Sequence, residues 1–242
     1  MRTLICIPTY NERDNIVPLV DAVLAQIPAN AEILFIDDGS PDGTGEVADE
    51  LAKKHSRVHV LHRAGKMGLA SAYRQGFEWG MERGFHWFFE MDADFSHDPK
   101  HLPAFFEVIN SGKADVICGS RYVEGGGVSN WSRSRLMLSR MGSIYSRIWL
   151  RHPLHDWTGG FNAWNLETVK ALRLETIQSK GYAFQIEMKY RAISLDKHVV
   201  EIPIVFQERR AGQSKMSGSI VKEAIVGVAR LRFKAEAGRL FL

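Results

Sequence analysis

The sequence has few cysteines and only a small excess of one charge, and each of these scarcities excludes a class of protein. Two cysteines, Cys6 and Cys118, occur among 242 residues, too few for the disulfide framework of a small secreted domain. Each lies in an apolar run typical of a buried strand, so we expect reduced thiols in the core. The formal net charge of +3 is smaller than the clustered basic excess of nucleic-acid-binding domains, which argues against a nucleic-acid partner.

Long apolar runs are also missing. No stretch approaches the roughly 20 consecutive apolar residues that a membrane-spanning helix needs. The first residues enter an apolar run directly, without the basic region and small-residue cleavage site of a signal peptide. We therefore expect a cytoplasmic protein that acts on any membrane from outside the hydrocarbon.

Several common catalytic and nucleotide-binding motifs are absent. The Rossmann glycine fingerprint does not follow the first predicted strand, and no G-x-x-x-x-G-K-[ST] motif occurs. These absences disfavour a nicotinamide cofactor and a P-loop triphosphate site. No G-x-S-x-G motif is present either, so a hydrolase built on that nucleophile elbow finds no support.

The first half of the chain alternates short apolar runs with longer amphipathic segments. β-Branched and aromatic residues enrich the short runs, which predict strands at residues 4–8, 32–37, 58–62, 87–91 and 115–119. Apolar residues recur at helical spacing between them, at residues 15–26, 44–55, 69–83 and 99–111. This repetition predicts an α/β fold, a mainly parallel sheet covered by helices on both faces.

The second half is less regular and contains no repeat or low-complexity linker. It holds a glycine-rich loop at 125–127, a basic segment at 133–147, a helix around 184–195, a strand at 199–206 and a polar loop at 207–217. A last amphipathic helix begins at residue 219. We predict one continuous domain over residues 1–217, with an appended C-terminal amphipathic helix and tail over 218–242.

Polar residues follow five of the predicted strands. They lie at residues 8–12, 37–40, 92–94, 120–122 and 208–210. Ligands of parallel α/β sheets bind at the carboxyl ends of the strands. One polar strand end is ordinary loop chemistry, but five at one edge predict a functional site.

Asp92 and Asp94 are the sharpest of these strand-end residues. Residues two apart in extended backbone point to the same side, so both carboxylates can face one point in space. Two close carboxylates repel unless a cation or proton lies between them, and Mg²⁺ takes one or two carboxylates beside water and substrate phosphate oxygens. The pair predicts a divalent-metal site, with the alternative that Asp94 only caps the helix starting near Pro99.

Two other segments suit a nucleotide. A carboxylate at a strand end, such as Asp37 or Asp38, can accept hydrogen bonds from a ribose or a base edge, or it can form an Asx turn into the next helix. The polar loop after the late strand contains Arg209, Arg210 and Lys215. Such a loop can neutralise a diphosphate, and a solvated surface loop is the equally weighted alternative.

Basic and apolar residues are mixed in two segments. The first follows Trp131 and contains Arg133, Arg135, Arg140 and Arg147. This mixture suits a helix at a lipid headgroup interface and equally an ordinary amphipathic helix. The C-terminal helix has an apolar stripe with basic flanks, for which core packing is the commoner reason and membrane contact the alternative.

His152, His155 and Asp156 form a cluster of metal-ligating residue types. Arg151 and Pro153 lie among them, and no strand signal accompanies them. We therefore expect a solvated loop here rather than a metal site.

Taken together, the motifs resemble those of the inverting family 2 glycosyltransferases, and most closely the dolichol-phosphate (polyprenyl-phosphate) mannose synthases. The segments that carry the resemblance are residues 7–12, 36–44, 91–97, 119–122, 159–161, 184–188 and 212–215. They extend over nearly the whole chain and are specific only in combination. The resemblance implies a GT-A type fold, GDP-mannose as donor, Mg²⁺ or Mn²⁺ as cofactor and a dolichyl or undecaprenyl phosphate as acceptor.

The resemblance also implies roles for individual residues. The residues implied to bind the donor are Pro8, Tyr10, Glu12, Ile36, Asp38, Asp92, Ala93, Asp94, Arg209 and Lys215. The residues implied to bind the acceptor phosphate are Arg121, Arg135 and Ser139. The residues implied to bind the metal are Asp92 and Asp94, and Ser96, at the position where some relatives have Gln, is the candidate third ligand. Asp94 and Arg121 are the predicted catalytic residues.

The predicted reaction is transfer of mannose with inversion, by direct attack of an acceptor phosphate oxygen. A phosphate monoester is largely anionic at neutral pH, so no strong general base is needed. The chain resembles a short form without transmembrane segments, which we expect on the cytoplasmic face of a membrane, held by its amphipathic helices or by a membrane-anchoring subunit. Two alternatives stay open: another family 2 enzyme, for example one using UDP-glucose, and a non-catalytic nucleotide-sugar-binding subunit.

Overall fold

A computed structural model describes residues 1–177, 179, 181–208, 218–238, 240 and 241. Its centre is a seven-stranded sheet with the spatial order β3-β2-β1-β4-β7-β5-β8. The strands are β1 (Thr3–Thr9), β2 (Ala31–Asp37), β3 (Val58–His62), β4 (Trp87–Glu90), β5 (Val116–Ser120), β7 (Asn162–Asn165) and β8 (Val199–Pro203). The pairings are parallel except those of β7, which runs antiparallel to both β4 and β5. The predicted mainly parallel sheet is confirmed.

The helices connect these strands and flank the sheet. They are α1 (Arg13–Leu24), α2 (Thr44–Lys54), α3 (Leu69–Glu82), α4 (Leu102–Ser111), α5 (Arg133–Leu150), α6 (Leu166–Ala171), α7 (Gly181–Ser194) and α8 (Gly218–Glu236). Two short strands, β6 (Gly127–Val128) and β9 (Val205–Phe206), form a separate parallel pair. Among the described residues, no helix has both the length and the apolarity to cross a bilayer.

Alternation of side chains along the strands builds a core on each face of the sheet. On β1, Ile5 and Ile7 belong to the cluster that includes α1 and α4, whereas Leu4 and Cys6 belong to the cluster that includes α3 and α7. This is the predicted arrangement of helices on both faces. Cys6 and Cys118 are buried and unpaired by disulfide, as expected, and burial raises the pKa of the Cys118 thiol to about 12.

A third core cluster joins α5, α7 and α8. Leu150 of α5, Ile186 and Tyr190 of α7, and Val228 and Leu231 of α8 are buried together. Core packing therefore accounts for this part of the apolar stripe on the last helix. The division of the chain into residues 1–217 and 218–242 stays a prediction.

Two features of the sheet differ from the sequence-based expectation. Strand β7 was not predicted, because Asn162 and Asn165 interrupt its short apolar run of Ala163 and Trp164. The predicted strand at 199–206 is two strands, since Ile204 lies between β8 and β9. The Ile204 backbone N–H donates to the Ser120 carbonyl at 3.0 Å, and the chain then leaves the large sheet to pair with β6. This change of direction carries Phe206 toward the strand-end loops.

Candidate active site

The carboxyl ends of several strands meet at one edge of the sheet. Thr9 at the end of β1 pairs with Asp37 at the end of β2, and the Asp38 N–H donates to the Thr9 carbonyl at 3.0 Å. The Phe206 ring lies 5.4 Å from the His97 ring beside the carboxylate pair. Its centroid is also 5.6 Å from the guanidinium carbon of Arg121. Four of the five polar strand ends are thus collected as predicted, and residues 209 and 210 of the fifth lie outside the described residues.

The loop after β4 holds Asp92 and Asp94 in a tight turn. The Ser96 N–H donates to Asp94 Oδ1 at 3.0 Å, and the Asp92 N–H donates to His97 Nδ1 at 2.9 Å. Phe95, between them, has a φ of 62°, a left-handed conformation that is uncommon for a residue with a side chain. Both hydrogen bonds span Phe95 and stabilise this turn. The backbone of the turn therefore fixes the positions of the two carboxylates.

His97 acts as the support of this turn. Its ring is buried and stacks on Phe161, with centroids 4.8 Å apart and planes at 11°. Because Nδ1 accepts the Asp92 N–H, a neutral ring carries its proton on Nε2. That nitrogen lies 3.9 Å from Asp92 Oδ2. Sequence reasoning gave His97 no role beyond the shared motif, although its position three residues after Asp94 marks it as part of the same loop.

The oxygen atoms of this loop fit a hard divalent cation. The Asp92 side chain is partly exposed and Asp94 is buried. Ser96 Oγ is buried with no hydrogen-bond partner among the described residues. A hydroxyl that lacks a partner beside a carboxylate has unused acceptor capacity. Within the described part of the chain no cluster of three His, Cys, Asp or Glu side chains converges. Two carboxylates and a hydroxyl suit Mg²⁺, which completes its shell with water and phosphate.

The loop after β2 is organised by Asp37. Its carboxylate accepts from the Ser40 N–H at 3.1 Å and from the Ser40 hydroxyl at 2.6 Å. Asp37 therefore closes a local turn through its side chain, one residue longer than the Asx turn considered from the sequence. Asp38 instead pairs with Arg63, a buried arginine that also donates to Ser71 Oγ at 2.7 Å. Burial raises the pKa of Asp38 although the Arg63 charge opposes that rise.

The other predicted donor-binding residues differ in accessibility. Tyr10 is exposed, and the Lys66 ammonium lies 4.2 Å from its ring centroid, a cation–π contact. Glu12 accepts from the Asn15 side chain at 2.7 Å. Ile36 is fully buried in the core, so only its backbone is available to a ligand. Neither Arg63 nor Lys66 was proposed from the sequence, because each lies in the loop after β3, where no polar strand end was noted.

Pro8 and Ala93 complete the described part of the predicted donor set. Pro8 is partly exposed in β1 and Ala93 is buried between the two aspartates. Arg209 and Lys215, predicted to bind the donor phosphates, lie outside the described residues.

The predicted acceptor residues lie around one aromatic group. The guanidinium carbons of Arg121 and Arg135 are 5.5 Å and 4.1 Å from the Trp131 ring centroid. Ser139 of α5 accepts from the Tyr122 hydroxyl at 2.8 Å. Arg121 and Arg135 thus share Trp131 as a neighbour, and Ser139 bonds the residue that follows Arg121. Their role in binding the acceptor stays a prediction.

Asp156 corrects the expectation of a solvated loop at residues 152–156. Its side chain is fully buried and receives hydrogen bonds from Arg121 Nε at 2.6 Å and from an Arg121 terminal nitrogen at 2.7 Å. Burial alone would raise the pKa of Asp156, but the charge and hydrogen bonds of Arg121 outweigh it and lower the pKa to about 2. His155 remains exposed beside Glu201. The sequence around Asp156 gave no sign of burial, because its partner lies 35 residues earlier.

A buried carboxyl group underlies the carboxylate loop. Glu90, two residues before Asp92, is fully buried and accepts from Asn162 at 2.9 Å, from Trp164 at 3.1 Å and from Gln185 at 3.2 Å. Burial raises its pKa to about 7, although these donors act in the opposite direction. The sequence-based strand assignment contained Glu90 but gave it no function.

Comparison with known proteins gives three kinds of match. The profile of glycosyl transferase family 2 matches residues 4–172. An undecaprenyl-phosphate mannosyltransferase of Micrococcus luteus is 49% identical over 230 residues, which cover 95% of this chain and 93% of that protein. A polyprenol monophosphomannose synthase of Mycolicibacterium smegmatis is 48% identical over 239 residues, covering 98% and 89%.

Solved structures match over the same extent. Glucosyl-3-phosphoglycerate synthase of Mycobacterium tuberculosis with Mn²⁺, UDP-glucose and phosphoglyceric acid has a TM-score of 0.70 at 16% identity, covering 96% of this chain and 79% of that one. The same protein with Mg²⁺ and UDP gives 0.70 at 15%, covering 95% and 78%. At this identity the likeness concerns the fold, and it confirms the predicted GT-A type architecture.

Proposed function

Because this chain belongs to glycosyl transferase family 2, we propose that it transfers mannose from GDP-mannose to a polyprenyl phosphate, with inversion at the anomeric carbon. The observation that carries this proposal is a pair of carboxylates, Asp92 and Asp94, on the same sheet edge as an arginine pair around Trp131. A nucleotide sugar and a lipid phosphate are both anions, and this edge has groups suited to each. The two relatives of nearly equal length, named for mannose transfer to a polyprenyl carrier, support the acceptor class and the sugar.

The donor would lie across the ends of β1, β2 and β4. Asp38 and Glu12 would accept hydrogen bonds from the nucleoside, and the exposed Tyr10 ring with Lys66 would flank it. Asp92, Asp94 and Ser96 would hold Mg²⁺ or Mn²⁺, which when bound neutralises charge on the departing diphosphate. Arg209 and Lys215 are proposed to contact the same phosphates.

The acceptor phosphate would lie on the side of Arg121, Arg135 and Ser139. One of its oxygens attacks the anomeric carbon, the bond from that carbon to the diphosphate oxygen breaks, and GDP leaves. The attacking oxygen is already anionic near neutral pH, so no side chain has to remove a proton. The arginines hold two anions close enough to react and stabilise the charge that moves between them.

We further propose that the protein lies on the cytoplasmic surface of a membrane through α5. The apolar side chains Met137, Met141, Ile144, Ile148 and Trp149 of this helix are exposed. The helix has four arginines and no acidic residue between 133 and 150, which suits an anionic headgroup layer. Arg135 and Ser139 on the same helix face the candidate site, so docking would present the lipid phosphate to them. A membrane-anchoring subunit is a further partner that this surface could accommodate.

Product analysis tests the function. Purified protein is incubated with radiolabelled GDP-mannose, Mg²⁺ and a short polyprenyl phosphate, and the lipid product is extracted. We expect a β-linked mannosyl phosphate, identified by NMR of the anomeric centre, and loss of transfer in the presence of EDTA. A panel containing UDP-glucose under the same conditions tests the donor.

Two outcomes would contradict the proposal. Transfer from UDP-glucose with none from GDP-mannose would assign a different donor. Binding of GDP-mannose without turnover on any polyprenyl phosphate would favour a non-catalytic nucleotide-sugar-binding subunit.

A further inference from the structure

A continuous set of buried polar groups connects the arginine side of the site to the strand that precedes Asp92. Its members are Arg121, Asp156, Lys189, Gly159, Asn162 and Glu90, and all are buried. None of these groups except Arg121 has a place in the proposed reaction. Burial of a charge costs free energy of desolvation unless the charge is paired and hydrogen-bonded. The presence of these charged groups in the core therefore requires an explanation.

Asp156 fixes the plane of the Arg121 guanidinium. It accepts from Nε at 2.6 Å and from a terminal nitrogen at 2.7 Å, a two-point contact, and it also accepts the Arg121 backbone N–H at 3.0 Å. The same terminal nitrogen donates to Thr158 Oγ1 at 2.8 Å. A bidentate pair of this kind sets the direction as well as the distance of the guanidinium. Arg121 therefore cannot turn without breaking several charge-assisted hydrogen bonds in a buried environment.

Lys189 fixes the turn that carries Asp156. Its ammonium lies at the buried side of α7 and donates to the carbonyls of Asp156 and Gly159, each at 2.9 Å. The Gly159 N–H in turn donates to Asp156 Oδ1 at 2.9 Å. A methionine could fill the volume of this lysine at no charge cost, but it could not hold two carbonyl oxygens. The lysine thus makes the Asp156 turn rigid.

At its other end, this set of buried polar groups reaches the strand that leads into the loop of Asp92 and Asp94. The Asn162 side chain donates to the Gly159 carbonyl at 3.2 Å and to Glu90 Oε2 at 2.9 Å. Glu90 ends β4, and the chain turns from it into the loop of Asp92 and Asp94. The groups that would hold the acceptor and the donor are therefore tied to one another through hydrogen bonds below the site.

We infer that Asp156 and Lys189 are positioning residues for sugar transfer, which hold the Arg121 guanidinium at a fixed orientation relative to the carboxylate loop. The inference rests on the proposed function, since it assumes that Arg121 contacts the acceptor phosphate. It concerns orientation, because the fully buried Asp156 presents no surface to either substrate. The competing explanation is that the Arg121–Asp156 pair only links β5 to the loop before β7.

The experiment compares Asp156→Asn with a matched control. The asparagine keeps the size of the side chain but presents an N–H₂ group to the donors of Arg121. The control is Glu187→Gln, which disrupts another buried carboxylate–arginine pair, with Arg191 Nε 3.0 Å from Glu187 Oε1. This pair lies on α7, as Lys189 does, but outside the candidate site. Both variants should lower the melting temperature.

The kinetic expectation separates the two explanations. In Asp156→Asn the KM for the polyprenyl phosphate should rise about 10- to 100-fold. This is the effect of removing the partner that orients a metal ligand, and we expect it for an arginine oriented in the same way. The KM for GDP-mannose should stay within about twofold, since the donor lies at other strand ends. Lys189→Met should show the same split between substrates, and Glu187→Gln should show none. Equal KM values for the acceptor in Asp156→Asn and Glu187→Gln would overturn the inference.

Two further measurements cover other outcomes. If Asp156→Asn does not fold, Lys189→Met serves as the kinetic test, and an unchanged acceptor KM there would refute the positioning role. The Nε–H exchange rate of Arg121, measured by ¹⁵N NMR and identified by its loss in Arg121→Lys, requires no turnover. We expect slow exchange in the wild type and in Glu187→Gln, and fast exchange in Asp156→Asn. Slow exchange in Asp156→Asn overturns the positioning role, whereas a wild type that transfers no mannose overturns only the proposed function.

Discussion

At the scale of single residues, the carboxylate pair depends on neighbours that are not themselves proposed ligands. The His97 ring accepts the Asp92 N–H, and the Asp94 carboxylate accepts the Ser96 N–H. These bonds fix the loop before any ligand binds, so the cost of ordering it is not taken from binding. The two carboxylates are one residue apart and could be found from the sequence, whereas the hydrogen bond between Asp92 and His97 could not.

The first residue-scale prediction concerns Asp94→Asn. The amide oxygen can still accept the Ser96 N–H, so we expect the fold to be kept. The lost charge should weaken metal and diphosphate binding and lower the transfer rate about 10²- to 10³-fold. Initial rates across a range of Mg²⁺ concentrations and a melting curve test this. The control is Asp49→Asn, at an exposed carboxylate beside His62, and wild-type turnover of Asp94→Asn in excess metal would contradict the metal role.

The second residue-scale prediction concerns acid stability. The pKa of Asp156 is lowered from 3.8 to about 2 in the folded protein. A carboxyl group with a depressed folded pKa stabilises the fold above its unfolded pKa and loses that contribution as pH falls through the folded pKa. The stability gap between wild type and Asp156→Asn should therefore narrow by roughly 2 kcal/mol as pH falls from about 5 to 2. Urea unfolding at several pH values measures the gap, and a constant gap would contradict the ion pair.

At the scale of elements, α5 has features of both alternatives that the sequence left open for it. Its arginines and apolar residues predicted either a membrane helix or a packed amphipathic helix. The structure gives it a buried side, with Ser143, Ser146 and Leu150, and an exposed apolar side that includes Met141 and Ile148. Burial of small polar side chains leaves the large apolar ones in solvent, the reverse of the usual pattern for a soluble helix.

The third prediction therefore places a charge on the exposed side of α5. Ile148 is 69% exposed, so Ile148→Glu should leave the melting temperature unchanged. It should weaken binding to anionic vesicles about 10-fold or more, since burial of one such side chain contributes about 1.5–3 kcal/mol. Vesicle sedimentation measures this. The matched control is Val17→Glu on α1, also at an exposed apolar position, and an equal loss of binding in both variants would contradict docking through α5.

A fourth prediction concerns the contact between α3 and the sheet. A Cβ atom added at Gly80 would lie 2.7 Å from both Leu4 Cδ2 and Phe88 Cε1. The aromatic ring cannot yield easily, so Gly80→Ala should destabilise the protein by about 1–3 kcal/mol. The same change at Gly142 in α5, where the nearest atom is 3.8 Å away, should instead stabilise the fold by up to about 1 kcal/mol. Denaturant unfolding of the two variants tests this. A change in the free energy of unfolding with the same sign in both would contradict the close packing at Gly80.

At the scale of the whole molecule, the order of the strands decides what the site contains. Parallel strands β1, β2 and β4 bring their carboxyl ends together. The antiparallel β7 lies between β4 and β5. Because β7 is antiparallel to β5, the loop that precedes β7 lies at the same sheet edge as the end of β5. This loop places Asp156 beside Arg121. A sheet without β7 would place β5 beside β4 and leave Arg121 without its carboxylate partner.

The amino-acid sequence was sufficient to predict the periodicity of the helices and strands, the buried thiols and the polar residues at the strand ends. These follow from local chemistry: alternation along strands, helical spacing, and two carboxylates separated by one residue. The three-dimensional fold was needed to reveal strand β7, the burial of Asp156 and the hydrogen bonds from Lys189. Each depends on partners about 30 residues or more apart, and whether a charged side chain is solvated or paired depends on which distant segment packs against it.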